Sequence, residues 1–276
     1  MQIETIETGC FNADGGAMFG AVPKDAWMRR YPCNEANACI LTMRSLIVKD
    51  GNRIMLIDNG AGNKHPRLMS YYKFFDTKDL KEELALRNIS PEQITDVILT
   101  HLHFDHCGYT TEKDETDDSL HPTFPNATHW VSRQQYDICN SPHPLEKDSF
   151  RTENIEAIKR AGLLHMLDTA ATISPHVSLR LFSGHTPGQI AAYILMPDRV
   201  YVFAGDVIPL AAHVSPEWIS AYDMFPQTSY HEKIRMLEEA AAERQALIYC
   251  HDAYHACSTI KKIRAGQFKP DTFLSL

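Results

Sequence analysis

The stretch Asp96-Val97-Ile98-Leu99-Thr100-His101-Leu102-His103-Phe104-Asp105-His106 decides how the rest of the chain is read. An apolar strand delivers the chain into three His and one Asp within six positions. Imidazole and carboxylate are the ordinary ligands of zinc and similar borderline metals, and a loop at a strand end turns alternate side chains toward one point. His101 and His103, two apart, face the same side of an extended segment. Asp105 and His106 follow after a turn and reach toward a second point. A lone His is most often a hydrogen-bonded core or surface residue. Four such groups packed together without a metal would crowd polar and ionisable side chains at a cost that only solvent would relieve.

Later segments repeat this placement. Gly184-His185-Thr186-Pro187-Gly188 follows a strand-like run at 177–182, and Gly and Pro around one His suit a tight ligand-presenting turn. Gly205-Asp206 follows the strand-like run at 200–204, and the Asp carboxylate has two oxygens with which to bridge two cations. His251, with Asp252 beside it, follows the run at 246–250. Four strand ends thus each deliver a ligand, and the pattern places them along one edge of a sheet, where open α/β folds gather function.

Further strand-like runs lie at 38–48, 53–57, 96–100 and 191–196, rich in β-branched residues. Helical patterns interrupt them at 78–87, 132–139, 154–161 and, most clearly, 229–244, where Ser229 and Glu232 have the spacing of a capping box. The mixture implies a layered α/β domain. No internal repeat and no Pro/Gly/Ser-rich linker divides the chain, so residues 1–276 read as one domain. The polar segment 109–125, with Asp114, Glu115, Asp117 and Asp118, reads as a surface loop.

The 276 residues are 44% hydrophobic, enough for a sizeable core. A net charge of −8, without a Lys/Arg cluster, argues against nucleic acid or an anionic membrane surface as partner and in favour of a small molecule. No apolar run approaches the ~20 residues that span a bilayer. Residues 1–9 lack the basic start and apolar core of a secretory leader, and seven Cys without a CxxC pair read as reduced thiols, so the cytoplasm is the expected compartment. Cys107 and Cys250 adjoin His106 and His251, but neighbours on an extended segment point oppositely. Both read as small packing residues.

With its His-x-His-x-Asp-His run, Gly-His-Thr-Pro-Gly turn, Gly-Asp and late His in this order from 101 to 251, the chain resembles metallo-β-lactamase-superfamily hydrolases. In the front half, Asp14-Gly15-Gly16-Ala17-Met18-Phe19-Gly20 and Leu56-Ile57-Asp58-Asn59-Gly60 are similar to the entrance loop and second-strand turn of lactonase-like members. N-acyl-homoserine lactonases look most alike. The resemblance implies an αβ/βα sandwich, two face-to-face mixed sheets with helices outside. It also implies two Zn²⁺ per chain, with Fe, Mn or Co as substitutes: His101, His103 and His185 on one metal, Asp105, His106 and His251 on the other, and Asp206 bridging them. In the family Asp58 supports the ligand loop through hydrogen bonds; a turn Asp before Asn59-Gly60 is an equally good reading of the residue itself. A hydroxide held by both metals would open the lactone ring, and Asp105 would carry the proton to the leaving alkoxide.

Met18, Phe19, Phe104, Tyr222 and Met224, by resemblance or by apolar character near the motifs, read equally as walls that would meet the acyl chain or as core, whereas Trp27 reads better as core. Some lactonases carry a Tyr three residues after the bridging Asp, where this chain has Pro209, and Tyr222 is either its replacement or an ordinary packed aromatic. The implied partner is a small-molecule lactone or ester, with no nucleic acid and no membrane; a homodimer stays open. Two rival readings are kept. One is an organophosphate or aryl-ester hydrolase using the same metal pair. The other is a di-iron redox or metal-sensing protein, which metal analysis separates, and the flavodiiron pattern has a carboxylate where this chain has His103.

Overall fold

Aliphatic and β-branched runs pair into two large mixed sheets in a computed structural model that describes residues 1–114 and 116–276. Glu115 of the acidic segment lies outside the described residues. Backbone proximity divides the chain into two units, residues 1–9 with 43–171 and residues 10–42 with 172–276.

The first sheet runs in the order Gln2–Asp14, Ala38–Asp50, Arg53–Ile57, Asp96–Ile98, Thr128–Ser132, Leu164–Leu167. Asp96–Ile98 pairs parallel with a strand on either side. A strand flanked in this way is shielded on both edges and both faces, which is why Val97, Ile98 and Leu99 form an unbroken apolar run, all 0% exposed. Val97, Leu99, Leu56 and Ile47 pack with Leu80 and Leu84 of helix Leu80–Ala85 and with Ile155 and Ile158 of helix Glu153–Arg160. Asp79 starts the first of these helices by accepting from the Lys81 and Glu82 amides.

The second sheet runs Gln267–Leu274, Cys257–Arg264, Ala246–Ile248, Val200–Phe203, Gln189–Leu195, Val177–Phe182, Ala171–Ser174. Val200–Phe203 and Ala246–Ile248 are parallel, and both lead into ligand-bearing turns. Met236, Leu237 and Ala240 of helix Pro226–Glu243 share a core with Val202, Leu247 and Ile260. At the end of this sheet, Gln267–Leu274 carries Lys269, Pro270 and Asp271, and its register against Cys257–Arg264 slips between Ser258 and Ile260 and between Lys262 and Arg264.

Several sequence expectations are corrected. The capping box at Ser229 does not form: helix Pro226–Glu243 begins earlier, with Pro near its start and Phe225 as its N-cap, so Ser229 and Glu232 sit inside its first turns. Segment 109–125 is not simply a surface loop. Tyr109, Thr110 and Phe124 are buried and Thr111–Lys113 pairs with Leu120–Pro122, while Asp114, Asp117 and Asp118 lie between the two strands. The four ligand-bearing strand ends belong to two sheets, not one: Asp96–Ile98 lies in the first and Val177–Phe182, Val200–Phe203 and Ala246–Ile248 in the second. The strands Gln2–Asp14, Thr128–Ser132, Leu164–Leu167, Cys257–Arg264 and Gln267–Leu274 had no strong signal, since polar and charged residues interrupt their alternation.

No helix of the described residues is long and apolar enough to cross a membrane.

Asp96 is the polar fixture of the first sheet. Burial pushes its carboxyl up, but hydrogen bonds from Arg53, Thr95 and Trp130 outweigh it and hold the group below its ordinary value. A depressed folded pKa stabilises the fold above the unfolded value and is lost as pH falls through the folded one. Urea unfolding followed from about pH 5 down to about pH 2.5 should show a falling midpoint, and Asp96→Asn should flatten that fall; an equal pH slope in both proteins would contradict the assignment.

Candidate metal centre

In the first unit, the turn after Asp96–Ile98 is built around Asp58. Its Oδ1 accepts from the Thr100 amide at 2.8 Å, and its Oδ2 accepts from Thr100 Oγ1 at 2.8 Å and faces His106 Nδ1 at 2.8 Å. Because a carboxylate is only an acceptor, His106 carries its proton on Nδ1 and presents Nε2 as a ligand atom. Asp58 does this from a left-handed backbone, φ 54°, with its own N–H on the Ile98 carbonyl. Asn59 continues the clasp: its N–H meets the His106 carbonyl, its Oδ1 accepts from the Tyr109 amide and its Nδ2 donates to Thr110. Gly108 closes on Ala61 so tightly that a Cβ would lie 1.9 Å from its carbonyl carbon, which only glycine permits.

Within this clasp His101 and His103 stand 4.5 Å apart, ring centre to ring centre, and His101 and His106 stand 4.0 Å apart. Thr100 Oγ1 lies 3.0 Å from His101 Nδ1, while the Gln135 side chain accepts from the Leu102 amide. His103 is oriented differently. Its Nε2 faces Glu146 Oε1 at 3.0 Å, so Nδ1 is the nitrogen that could serve as a ligand atom. Asp105 sits on the short helix Phe104–Cys107, its Oδ2 3.7 Å from His106 Nε2. All four motif residues therefore gather in this unit.

In the second unit, His185 is presented by a turn that helix Pro226–Glu243 holds in place. Glu232 accepts from the Ser183 and Gly184 amides, and the Met224 and Phe225 amides donate to the His185 and Gly184 carbonyls. Burial raises the Glu232 carboxyl, and those backbone amides offset only part of the rise. Asp223 Oδ1 lies 3.0 Å from His185 Nδ1, and the Thr42 carbonyl lies 2.8 Å from His251 Nδ1, so both rings turn Nε2 the other way. Each Nε2 meets a different oxygen of Asp206: His185 faces Oδ2 at 3.4 Å and His251 faces Oδ1 at 3.2 Å. Two ligand atoms on one tetrahedral zinc, each ~2.0–2.1 Å from it, stand roughly 3.4 Å apart. The donor set and its spacing fit a metal ion at the Asp206 carboxylate.

One neighbour of the candidate ligands parts from the sequence reading. Cys250 does more than pack: its Sγ donates to Asp206 Oδ1 at 3.1 Å and joins Asp206 and His251 in a group able to hold a cation. Strand alternation fails there because Ala246–Ile248 has already ended. Asp252 is a turn residue, accepting from the Ala211, Tyr254 and His255 amides.

Among the apolar candidates, Phe19 is 0% exposed, stacked between Trp27 at 4.8 Å and His213 at 5.1 Å. Trp27 is core, as expected. Met18 is buried too, and its carbonyl faces His213 Nε2; burial pushes His213 down to about 3, so the ring is neutral and donates. Phe104 packs against Tyr72 and Phe74. Tyr222 is exposed and Met224 half-buried. Sequence reasoning missed Glu146, Asp223 and the Thr42 carbonyl. None lies in a motif, and a main-chain acceptor has no sequence signal at all.

Comparison with known proteins places these features. Residues 44–251 match the family model described as "Metallo-beta-lactamase superfamily". Among solved structures, a probable metal-dependent hydrolase from Staphylococcus aureus superposes with TM-score 0.89 at 26% identity, over 99% of this chain and 96% of that one. AidC, described as a dizinc quorum-quenching lactonase in complex with a product, gives 0.79 at 19% identity, over 99% and 95%. The hydrolase AbOPH of the β-lactamase superfamily gives 0.77 at 20%, over 99% and 95%. No curated protein sequence matches the chain.

The turn bearing His185 has no room to spare: a Cβ on Gly184 would lie 2.4 Å from Ser229 Cα and 2.5 Å from its backbone nitrogen. Gly184→Ala should therefore push against the helix backbone and cost about 1–3 kcal/mol, read as a lower urea midpoint; an unchanged midpoint would show that the turn is loose.

Proposed function

The chain belongs to the metallo-β-lactamase superfamily and has its fold, and from that premise we propose that it is a binuclear zinc hydrolase that opens the ring of N-acyl-homoserine lactones or related lactones and esters. One observation carries the reading: the two oxygens of Asp206 address two different imidazoles at ligand spacing, the pattern of a carboxylate that bridges a pair of cations. In this reading His101, His103 and His185 hold one zinc, Asp105, His106 and His251 the other, and Asp206 serves both. Iron, manganese or cobalt would suit the same donors. When bound, the metal pair supplies a nucleophile at neutral pH and positive charge for the developing oxyanion.

The chain's own residues do the rest. Asp105, partly exposed beside His106, is the group that passes a proton to the leaving alkoxide. Asp58, Asp223 and the Thr42 carbonyl fix ring orientation before substrate arrives, so little reorganisation remains. Tyr222, Met224 and Phe104 are proposed to meet the acyl chain, whereas Met18 and Phe19 are buried, Phe19 against Trp27 and His213. Pro209 brings no phenol; its carbonyl instead accepts from the His251 amide. That AidC is described as a dizinc quorum-quenching lactonase supports the choice of substrate and metal. The partner is then a small molecule in the cytoplasm, with neither nucleic acid nor membrane involved.

Two measurements test this. Zinc-loaded protein should hydrolyse a panel of acyl-homoserine lactones with higher kcat/KM than aryl esters or phosphotriesters; a phosphotriester at the head of the panel would move the assignment to organophosphate hydrolysis, and two iron with oxygen consumption would move it to redox chemistry. Asp105→Asn should lower kcat by about 10²–10⁴-fold. Full turnover in that variant with both metals retained would remove Asp105 from the proton path.

A further inference from the structure

We propose that Glu146 is a positioning residue that fixes which nitrogen of His103 meets the metal, and that the segment bearing it sets metal affinity. The inference rests on the metal reading of His103 given above. Glu146 is 5% exposed, a carboxylate that only strong local compensation keeps buried, and its Oε1 lies 3.0 Å from His103 Nε2. The Glu146 and Lys147 amides both donate to the His143 carbonyl, and the Glu146 carbonyl accepts from the Ser149 amide, so a tight turn holds the backbone behind the carboxylate. The same segment engages His103 again: Phe150 forms a β-bridge with it and sets its ring edge-on at 5.0 Å. On the inner side, Cys107 Sγ donates to the His103 carbonyl. Side chain and backbone of His103 are thus clamped together.

The chemical consequence follows from what a carboxylate is. It only accepts, so it selects the His103 tautomer with hydrogen on Nε2, leaves the Nδ1 lone pair for a cation and makes that lone pair more basic. His106 has the reverse arrangement, with Asp58 on Nδ1. Neighbouring ligands of one motif therefore present opposite ring nitrogens, and the two carboxylates decide which.

Zinc affinity measured by chelator competition tests the proposal. Glu146→Ala should weaken zinc binding by about 10–100-fold. Glu146→Gln, whose amide oxygen still accepts, should recover most of that loss, and Asp148→Ala, on the exposed side of the same segment, should change nothing. The metal-free proteins supply a second readout. Ring-nitrogen NMR should show His103 protonated on Nε2 in the wild type and not fixed in Glu146→Ala; if the Ala variant does not fold, the wild-type and Gln spectra decide. Unchanged zinc affinity in Glu146→Ala, or a wild-type His103 protonated on Nδ1, overturns the inference. Zinc uptake that is also indifferent to His103→Ala overturns the metal reading beneath it, so the two failures are distinguishable.

Discussion

Asp58 is a non-glycine residue in a left-handed backbone, and the arrangement of the motif after the first sheet depends on it. That conformation costs of order 1 kcal/mol or more and persists only when the surroundings over-determine it. Here they do. Its amide is held by Ile98, its carboxylate by the Thr100 amide and hydroxyl and by His106, and the next residue, Asn59, ties down the far side of the same turn. The parallel strand pair Arg53–Ile57 and Asp96–Ile98 ends where Asp58 begins, so a rigid strand pair and a rigid turn share one carboxylate. Asp58 orients the His106 ring directly and fixes the Thr100 turn just before His101, while Glu146 meets His103 and the short helix Phe104–Cys107 carries only Asp105 and His106.

The second unit solves the same problem with different parts. Glu232, on a long helix, grips the backbone of the His185 turn, and Asp223, just before that helix, orients the ring. Both carboxylates are buried or nearly so, and each is matched to N–H donors, which keeps burial of the charge affordable. In each unit the candidate ligand side chains are thus backed by groups whose chemistry is complementary to theirs: acceptors behind imidazoles, amide donors behind carboxylates. Side chains backed in this way are oriented by the protein itself, and such backing groups tune the affinity of a metal ligand.

The candidate ligand residues were legible in the sequence because chemistry-bearing types stood directly after apolar strands, where the local code is strongest. The strands 53–57, 96–98, 200–203 and 246–248 were legible because each is paired on both sides and largely apolar, and 177–182 because its apolar residues alternate with Ser178 and Arg180. Strands at or near sheet ends were not, as Cys257–Arg264 shows, where Lys261, Lys262 and Arg264 face solvent and mimic a basic tail. Glu232 had a clear signal that pointed to the wrong act, since Ser-x-x-Glu spacing describes a helix start and cannot reveal that a strand-end turn will compete for the carboxylate. Glu146 and Asp223 had none. Each lies some 40 positions from the His it serves, in polar sequence without periodicity.

The end strand Gln267–Leu274 shapes how copies of this chain behave toward each other. An open strand offers a row of backbone groups to any extended segment that drifts past, and long regular edges grow into fibres by that route. Here the row is broken. Pro270 lacks a donor, Lys269 and Asp271 place charge on either side of it, and the two register slips against Cys257–Arg264 disturb its regularity. An incoming strand would meet a discontinuous template, so concentrated solutions of the folded chain should resist edge-to-edge polymerisation even though the sheet behind that edge is seven strands wide.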